Sequence, residues 1–174
     1  MVSEIVFTVV AEDRPGLVAS ISEVVSRHSG NWVDSSMAHL KGEFAGIICA
    51  EIPSPNLSEF KSDLVALGDD NIEIQIRNNN EQDSVFDGGQ ATFEVTGADH
   101  PGIVHEVSRV LAQLEVNIEM LQTEVYSASM SGNQMFRARV KIFYPANIEI
   151  SEIINALEDI ANDIMVDIAV ADHP

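Results

Sequence analysis

Apolar and polar positions follow one another along this chain in a fixed succession that is run through twice. "EIVFTVV" (residues 4–10) is a β-rich, mostly apolar run, the pattern of a central strand. Past the next turn, Leu17, Val18, Ile21, Val24, Val25 and His28 recur at helical spacing and predict an amphipathic helix with one buried face. Two more β-rich runs follow, about Trp32–Leu40 and Phe44–Ile52. Leu57, Phe60, Leu64 and Leu67 then mark a second helix, and "IEIQI" alternates as a closing strand. The second half repeats the order. Its first helix carries Ile103, Val104, Val107, Val110, Leu111 and Leu114, and its strands run about Ile118–Tyr126 and Phe136–Tyr144. Its second helix carries Ile150, Ile153, Ile154, Leu157 and Ile160, and "IMVDIAV" closes it.

The repetition extends to identity. "FTVVAEDRPGLVASISEVV" and "FEVTGADHPGIVHEVSRVL" align at an offset of 86 residues, Gly16 on Gly102, with nine identities over the 25 positions Phe7–Asn31. Later landmarks (Phe44 with Phe136, Pro53 with Pro145) align at 92, so the second copy holds six extra residues, placed in "YSASMSGNQM" as a hairpin tip. Each copy reads β-α-β-β-α-β, the ferredoxin-like order, with two helices on one face of a four-stranded antiparallel sheet. Right-handed crossovers then fix the strand order as 4-1-3-2. The expected fold class is α+β: a first domain over residues 1–79, a linker at 80–89 within "NNNEQDSVFDGGQ", and a second domain over 90–174.

Charge narrows the functions. With 28 acidic and 9 basic residues, the formal net charge is −19, which repels phosphate backbones and anionic membrane surfaces. Cys49 is the only cysteine, so no intramolecular disulfide forms. No apolar run reaches the length of a membrane span, and the N-terminus has neither a basic region nor a cleavage site of a signal peptide, so the expected address is the cytoplasm.

The Asp-x-Pro-Gly turn joins first strand to first helix in each copy. The first N–H groups of that helix lack helical acceptors and sit at the positive end of its dipole. Proline at the first helical position would give up an N–H that is orphaned anyway, and glycine lets a ligand approach the backbone. A small carboxylate suits those donors. Asp13 and Asp99 accept only, while Asn31 and Asn117, opening the second strand, both donate and accept. Together these are the groups a free amino acid zwitterion requires. Equally, Asp ahead of a helix reads as an ordinary N-cap.

The residues "D-R-P-G-L-V" and "D-H-P-G-I-V", followed by an amphipathic helix and by "G-N-W" or "V-N-I", resemble the ACT domain. Two copies without a catalytic domain resemble the glycine cleavage system transcriptional repressor family of tandem-ACT regulators, as does "DSSMAHLKGEFAGIICAEIP". That resemblance implies side-by-side pairing of ACT units, with small ligands such as glycine held at the pairing interface. Carried over by position, the ligand-binding residues are Ala11, Asp13, Arg14, Pro15, Gly16, Leu17 and Asn31. In the second copy they are Gly97, Asp99, His100, Pro101, Gly102, Ile103 and Asn117. It further implies a homodimer that represses through a protein partner such as a LysR-type activator, without gripping DNA. The alternative is a regulatory subunit giving amino acid feedback control of a biosynthetic enzyme.

Other constellations carry less. Arg137, Arg139 and Lys141 alternate on one strand, a solvated face salt-bridged to Glu124 or a docking strip for an acidic partner or anion. His28, His39, His100, His105 and His173 show no metal spacing, His28 reading as a partly buried or helix-terminal residue and Cys49 as core. No catalytic triad, nucleophile elbow or phosphate loop is present, so neither enzymatic activity nor a cofactor is expected.

Overall fold

Strand β1 (Val2–Glu12) buries every second residue, Ile5, Phe7, Val9 and Ala11, while Glu4, Val6, Thr8, Val10 and Glu12 point the other way. That alternation makes it a central strand with one face for the core. In this computed structural model, which describes residues 1–77, 87–128 and 132–171, β1 is flanked antiparallel by β3 (Glu43–Pro53) and β4 (Ile72–Arg77). Strand β2 (Asn31–Leu40) adds outside β3, giving the expected order β2-β3-β1-β4. Helices α1 (Leu17–Arg27) and α2 (Leu57–Ala66) lie on the inward face, burying Leu17, Ile21, Val24 and Val25 from one and Phe60 and Leu64 from the other. Phe60 and Phe7 meet edge to face at 6.2 Å in the middle of this core.

His28 ends α1 as expected. It is buried, lies edge-on to Phe60, and its Nε2 is 2.9 Å from Asp63 Oδ2 of α2. The bond from His28 chiefly holds the Asp63 carboxyl below its ordinary range, with Arg27 adding to it. Asn56 closes the same corner by donating to the His28 carbonyl at 2.9 Å.

The chain divides into two compact units, residues 1–83 and 84–174. The second repeats the first with β5 (Gly88–Ala98), α3 (Ile103–Gln113), β6 (Asn117–Ser127), β7 (Gln134–Pro145), α4 (Ile150–Ala161) and β8 (Val166–Val170). Its sheet order is β6-β7-β5-β8. Even the irregularities repeat, since a bulge falls between Trp32 and Asp34 in β2 and between Ile118 and Met120 in β6, 86 residues later. No helix among the described residues is long and apolar enough to cross a membrane.

Three details differ from the sequence expectation. Gly88 and Gly89, placed in the linker, belong to β5 opposite Pro145 and Tyr144, where a Cβ on Gly89 would strike the Tyr144 ring. Residues 80–86 of that linker lie outside the described residues, as do residues 129–131 of the hairpin tip. Ile164 and Met165 form the turn before β8, Met165 with φ of 49°. Cys49 is not core: on β3 the buried positions are Phe44, Ile48, Ala50 and Ile52, and the opposite parity turns the half-buried thiol to the helix-free face. Burial first, then Glu4, Asp34 and Glu51, push that thiol up.

Trp32, the one tryptophan of the chain, packs against the first core and reports on it alone. Phe60→Ala is expected to cost about 3–5 kcal/mol, moving the urea transition of Trp32 fluorescence to lower denaturant.

Candidate functional site

Each Asp-x-Pro-Gly turn is built from a left-handed step. Gly16 has φ of 94° and Gly102 of 102°, values that side chains strain to adopt, and a Cβ on either would meet nothing within 4 Å. Both glycines are therefore needed for backbone conformation, and the space above each stays open to a ligand. They occupy the N-cap positions of α1 and α3, and neither helix has a side-chain cap. This corrects two readings of the sequence: Asp13 and Asp99 are not N-caps, and Pro15 and Pro101 precede the cap and do not open the helix. The physical reason is the same for both, because the left-handed step uses up the residues between Asp and the first helical turn.

The consequence is electrostatic. The first helical bonds run from Ser20 N–H to the Gly16 carbonyl at 2.9 Å and from Glu106 N–H to the Gly102 carbonyl at 3.0 Å. The N–H groups of Leu17, Val18 and Ala19, and of Ile103, Val104 and His105, lie ahead of that first helical bond. Three donors thus stand at the positive end of each helix dipole. The turn is fixed at its other side by the following hairpin, with Asp13 N–H donating to Gly42 at 2.8 Å and Asp99 N–H to Gln134 at 3.0 Å.

Backbones match, but side chains do not. In unit 1 the exposed Asp13 carboxylate faces His39 Nε2 at 3.5 Å, and the same nitrogen can accept the Gly42 N–H at 3.3 Å. The matching position in unit 2 is Val125. There His100 instead folds inward, its Nε2 2.6 Å from the Ile164 carbonyl and its Nδ1 3.0 Å from the Pro101 carbonyl. Two carbonyl acceptors suit a ring with both nitrogens protonated. The bond to Ile164 first, then that to Pro101, with Asp99 nearby, raises its pKa above the ordinary histidine range. A salt-bridge or ring pairing of His39 with the turn leaves no trace in periodicity, since it depends on which face β2 presents.

The fourteen proposed site residues do not all meet within one unit. Asp13, Arg14, Pro15 and Gly16 are exposed around the turn, and Asp99, Pro101 and Gly102 likewise. Ala11, Leu17 and Ile103 point into the cores. Gly97 is close-packed, its Cβ position lying 2.6 Å from the Met165 carbonyl. Asn31 pairs with Glu51, which pairs with Glu4, eight residues before the end of β1. At about 3.3 Å per residue, Asn31 is roughly 26 Å along the sheet from its own turn. Asn117, opposite Phe143 and hence Gln90, stands in the same relation to Ala98. Elsewhere Arg137 bonds Glu124 at 2.9 Å, as expected, and among the described residues no group of three or more His, Cys, Asp or Glu could hold a metal ion. His173 lies outside the described residues.

Two βαββαβ units, each with a glycine-stepped strand-to-helix turn and a first helix without a side-chain cap, make up a tandem ferredoxin-like architecture. Residues 3–77 match the ACT domain family. A UPF0237 protein of Methanosarcina mazei is 33% identical over 78 residues, 43% of this chain and 85% of the relative. One of Methanococcus maripaludis is 32% identical over 84 residues, 47% and 90%. The chain belongs to the ACT-domain family. Among solved structures, a protein of unknown function from Galdieria sulphuraria superposes over 100% of both chains with a TM-score of 0.86 and 27% identity. A candidate glycine cleavage system transcriptional repressor superposes over 98% of this chain and 97% of its own, with a TM-score of 0.72 and 16% identity. The second likeness is one of fold.

Two outcomes test this geometry. Gly16→Ala and Gly102→Ala are each expected to cost about 1–2 kcal/mol in chemical denaturation, despite the open space around them. Because the folded pKa of His100 is raised, its contribution is full below the unfolded value of about 6.5 and is lost as pH rises through the higher folded value. The stability gap between wild type and His100→Ala should therefore be widest in mild acid and close toward alkaline pH.

Proposed function

We propose that this chain is an amino acid-responsive regulatory protein, a repressor of glycine cleavage that acts through a protein partner such as a LysR-type activator and not by direct DNA binding. The observation that carries the ligand reading is the juxtaposition at the first turn of the leading N–H groups of a helix without a side-chain cap, an open approach over Gly16, and the Asp13 carboxylate. A carboxylate on the donors and an ammonium beside Asp13 use both ends of a small zwitterion. Unit 2 offers the same backbone with Asp99.

Asn31 and Asn117 join such a site only from outside their own unit. In each sheet β2 or β6 is an edge, and antiparallel pairing of that edge with the same edge of a second copy would bring the start of one strand beside the turn at the end of the other. This reading explains why an Asn at the far end of a sheet would accompany the turn, and it makes ligand and dimer mutually stabilising. The net charge of −19 supports a readout by protein contact. The domain order and the fold shared with a candidate glycine cleavage repressor support the regulatory part.

The test is isothermal titration of the whole chain against the twenty amino acids, with Asp13→Asn and Asp99→Asn alongside. Binding of one or a few small amino acids is expected, weakened about tenfold or more by Asp13→Asn, in line with roughly 1.5–3 kcal/mol for a hydrogen bond to a charged group. No heat with any amino acid from a folded protein overturns the reading.

A further inference from the structure

Strands β2 and β6 are matching edges of the two sheets, but only β6 has an apolar rim. On its helix side Leu121, Thr123 and Val125 stand opposite the core residues Val140, Ala138 and Phe136 of β7. They overhang that core. Leu121 is 41% and Val125 52% exposed, and Val104, in the first turn of α3, is 39% exposed. Leu121, Val104 and Ser108 line one shallow hollow between strand and helix. Of the large hydrophobic side chains exposed among the described residues of unit 2, Val104, Met120, Leu121 and Val125 lie here, and only Met165 and Val170 elsewhere. In unit 1 the places of Leu121 and Val125 fall to Ser35 and His39, opposite Ile48 and Phe44.

An edge strand keeps a row of N–H and C=O groups ready for another strand. In a chain of net −19 such an edge pairs only if its own acid is neutralised. β6 carries two carboxylates, and β7 answers both: Lys141 lies 3.1 Å from Glu119 and Arg137 2.9 Å from Glu124. On α3, Glu106 pairs with Arg109 at 2.8 Å.

The sequence of β6 is complementary to itself run backwards. With Thr123 facing Thr123 of a second copy, Leu121 meets Val125 on the helix side. On the open side Met120 meets Tyr126, and Gln122 meets Glu124, a donor against an acceptor. No like charges are directly opposed. Centring on Glu124 would set two carboxylates face to face, and centring on Gln122 would set Glu124 against Met120. Against β2 of a second copy, Leu121 would meet His39 and Val125 would meet Ser35. The Thr123 register also carries Asn117 just past the level of Ser127 in the second copy. Ser127 stands opposite Gln134, whose carbonyl accepts the Asp99 N–H. Side-chain complementarity therefore brings Asn117 to the level of the other copy's turn, without that turn having been used to choose the register.

We propose that two copies associate by antiparallel pairing of β6 with β6 about a two-fold axis at Thr123, and that β2 makes no such contact by itself. The contact is isologous. It deepens the edge pairing inferred above by naming the edge and the register, and it needs no ligand.

Sedimentation of the full chain without amino acids should show a dimer. Val125→Arg is expected to convert it to a monomer at equal concentration, whereas Ser35→Arg, on the matching strip of β2, keeps the dimer. Gln122→Glu, which sets Glu124 against a second carboxylate, is expected to weaken the dimer about threefold or more, with recovery at ~1 M salt. In a Cys49→Ser background, Thr123→Cys should give a disulfide-linked dimer on mild oxidation, and Met37→Cys, at the matching place on β2, should not. A monomeric wild type, a Val125→Arg chain of unchanged mass, or cross-linking through Met37→Cys in place of Thr123→Cys overturns the proposal. Amino acid binding by a monomer would overturn this contact and keep the ligand reading. A β6 dimer that gives no heat with any amino acid would keep the contact and overturn the ligand reading.

Discussion

Two helices can cover only one side of a four-stranded sheet, and the rest of this molecule follows from that constraint. The alternation on β1 and β5 decides which side is covered, since Phe7, Val9, Phe93 and Val95 must face the helices to leave water. Once that parity is set, every strand residue of opposite parity belongs to an open face, and the strand-to-helix turn is forced to one end of the sheet. Each sheet also ends in edge strands, so β2, β4, β6 and β8 keep unpaired backbone groups. Core, turn, face and edge are thus four consequences of one packing decision.

At the turn, conformation and chemistry are coupled through glycine. A left-handed step lets the chain leave a strand and enter a helix across four residues, and it removes the position from which a side chain would normally cap that helix. The donors at the helix start are left to whatever approaches from solvent. Both copies keep this backbone, which is why the motif is visible twice. The side chains around it have parted: His39 attends Asp13, while His100 is committed to the Ile164 carbonyl and braces the turn against the one that follows α4. One turn has a carboxylate with the exposed His39 imidazole beside it, the other a carboxylate near an imidazole held by two carbonyls, so equal affinity at the two would be a coincidence.

Much of the fold was legible in the sequence because periodicity reports burial directly. The stripes on α1 and α3 and the alternation of β1 and β5 are burial patterns, and the crossover rule turned element order into sheet order. Legibility failed where parity or backbone sign mattered more than composition. Cys49 has apolar neighbours in sequence, yet one residue of register puts it outside the core. Asp-x-Pro-Gly reads as a cap followed by a first-turn proline unless the positive φ of the glycine is known. His39 and Ile164 entered the site through register and tertiary contact, which no local spacing records. The separation of Asn31 from its turn was concealed for the same reason, since both flank one helix in sequence and lie at opposite ends of one sheet in space.

Charge completes the logic. A chain of net −19 associates only where acid is locally absent or answered, because each acidic approach adds repulsion that burial must exceed. Unit 1 keeps the centre of its open face free of charge and sets like-charged pairs at its margins, Glu4 opposite Glu51 and Glu12 opposite Glu43, with Arg77 at one side. Unit 2 places a third of the basic residues of the chain on the corresponding strand and sets a carboxylate beside each, Glu124 at Arg137, Glu94 across from Arg139 and Glu119 at Lys141. Duplication gave two faces of the same shape, and divergence made them unlike in charge.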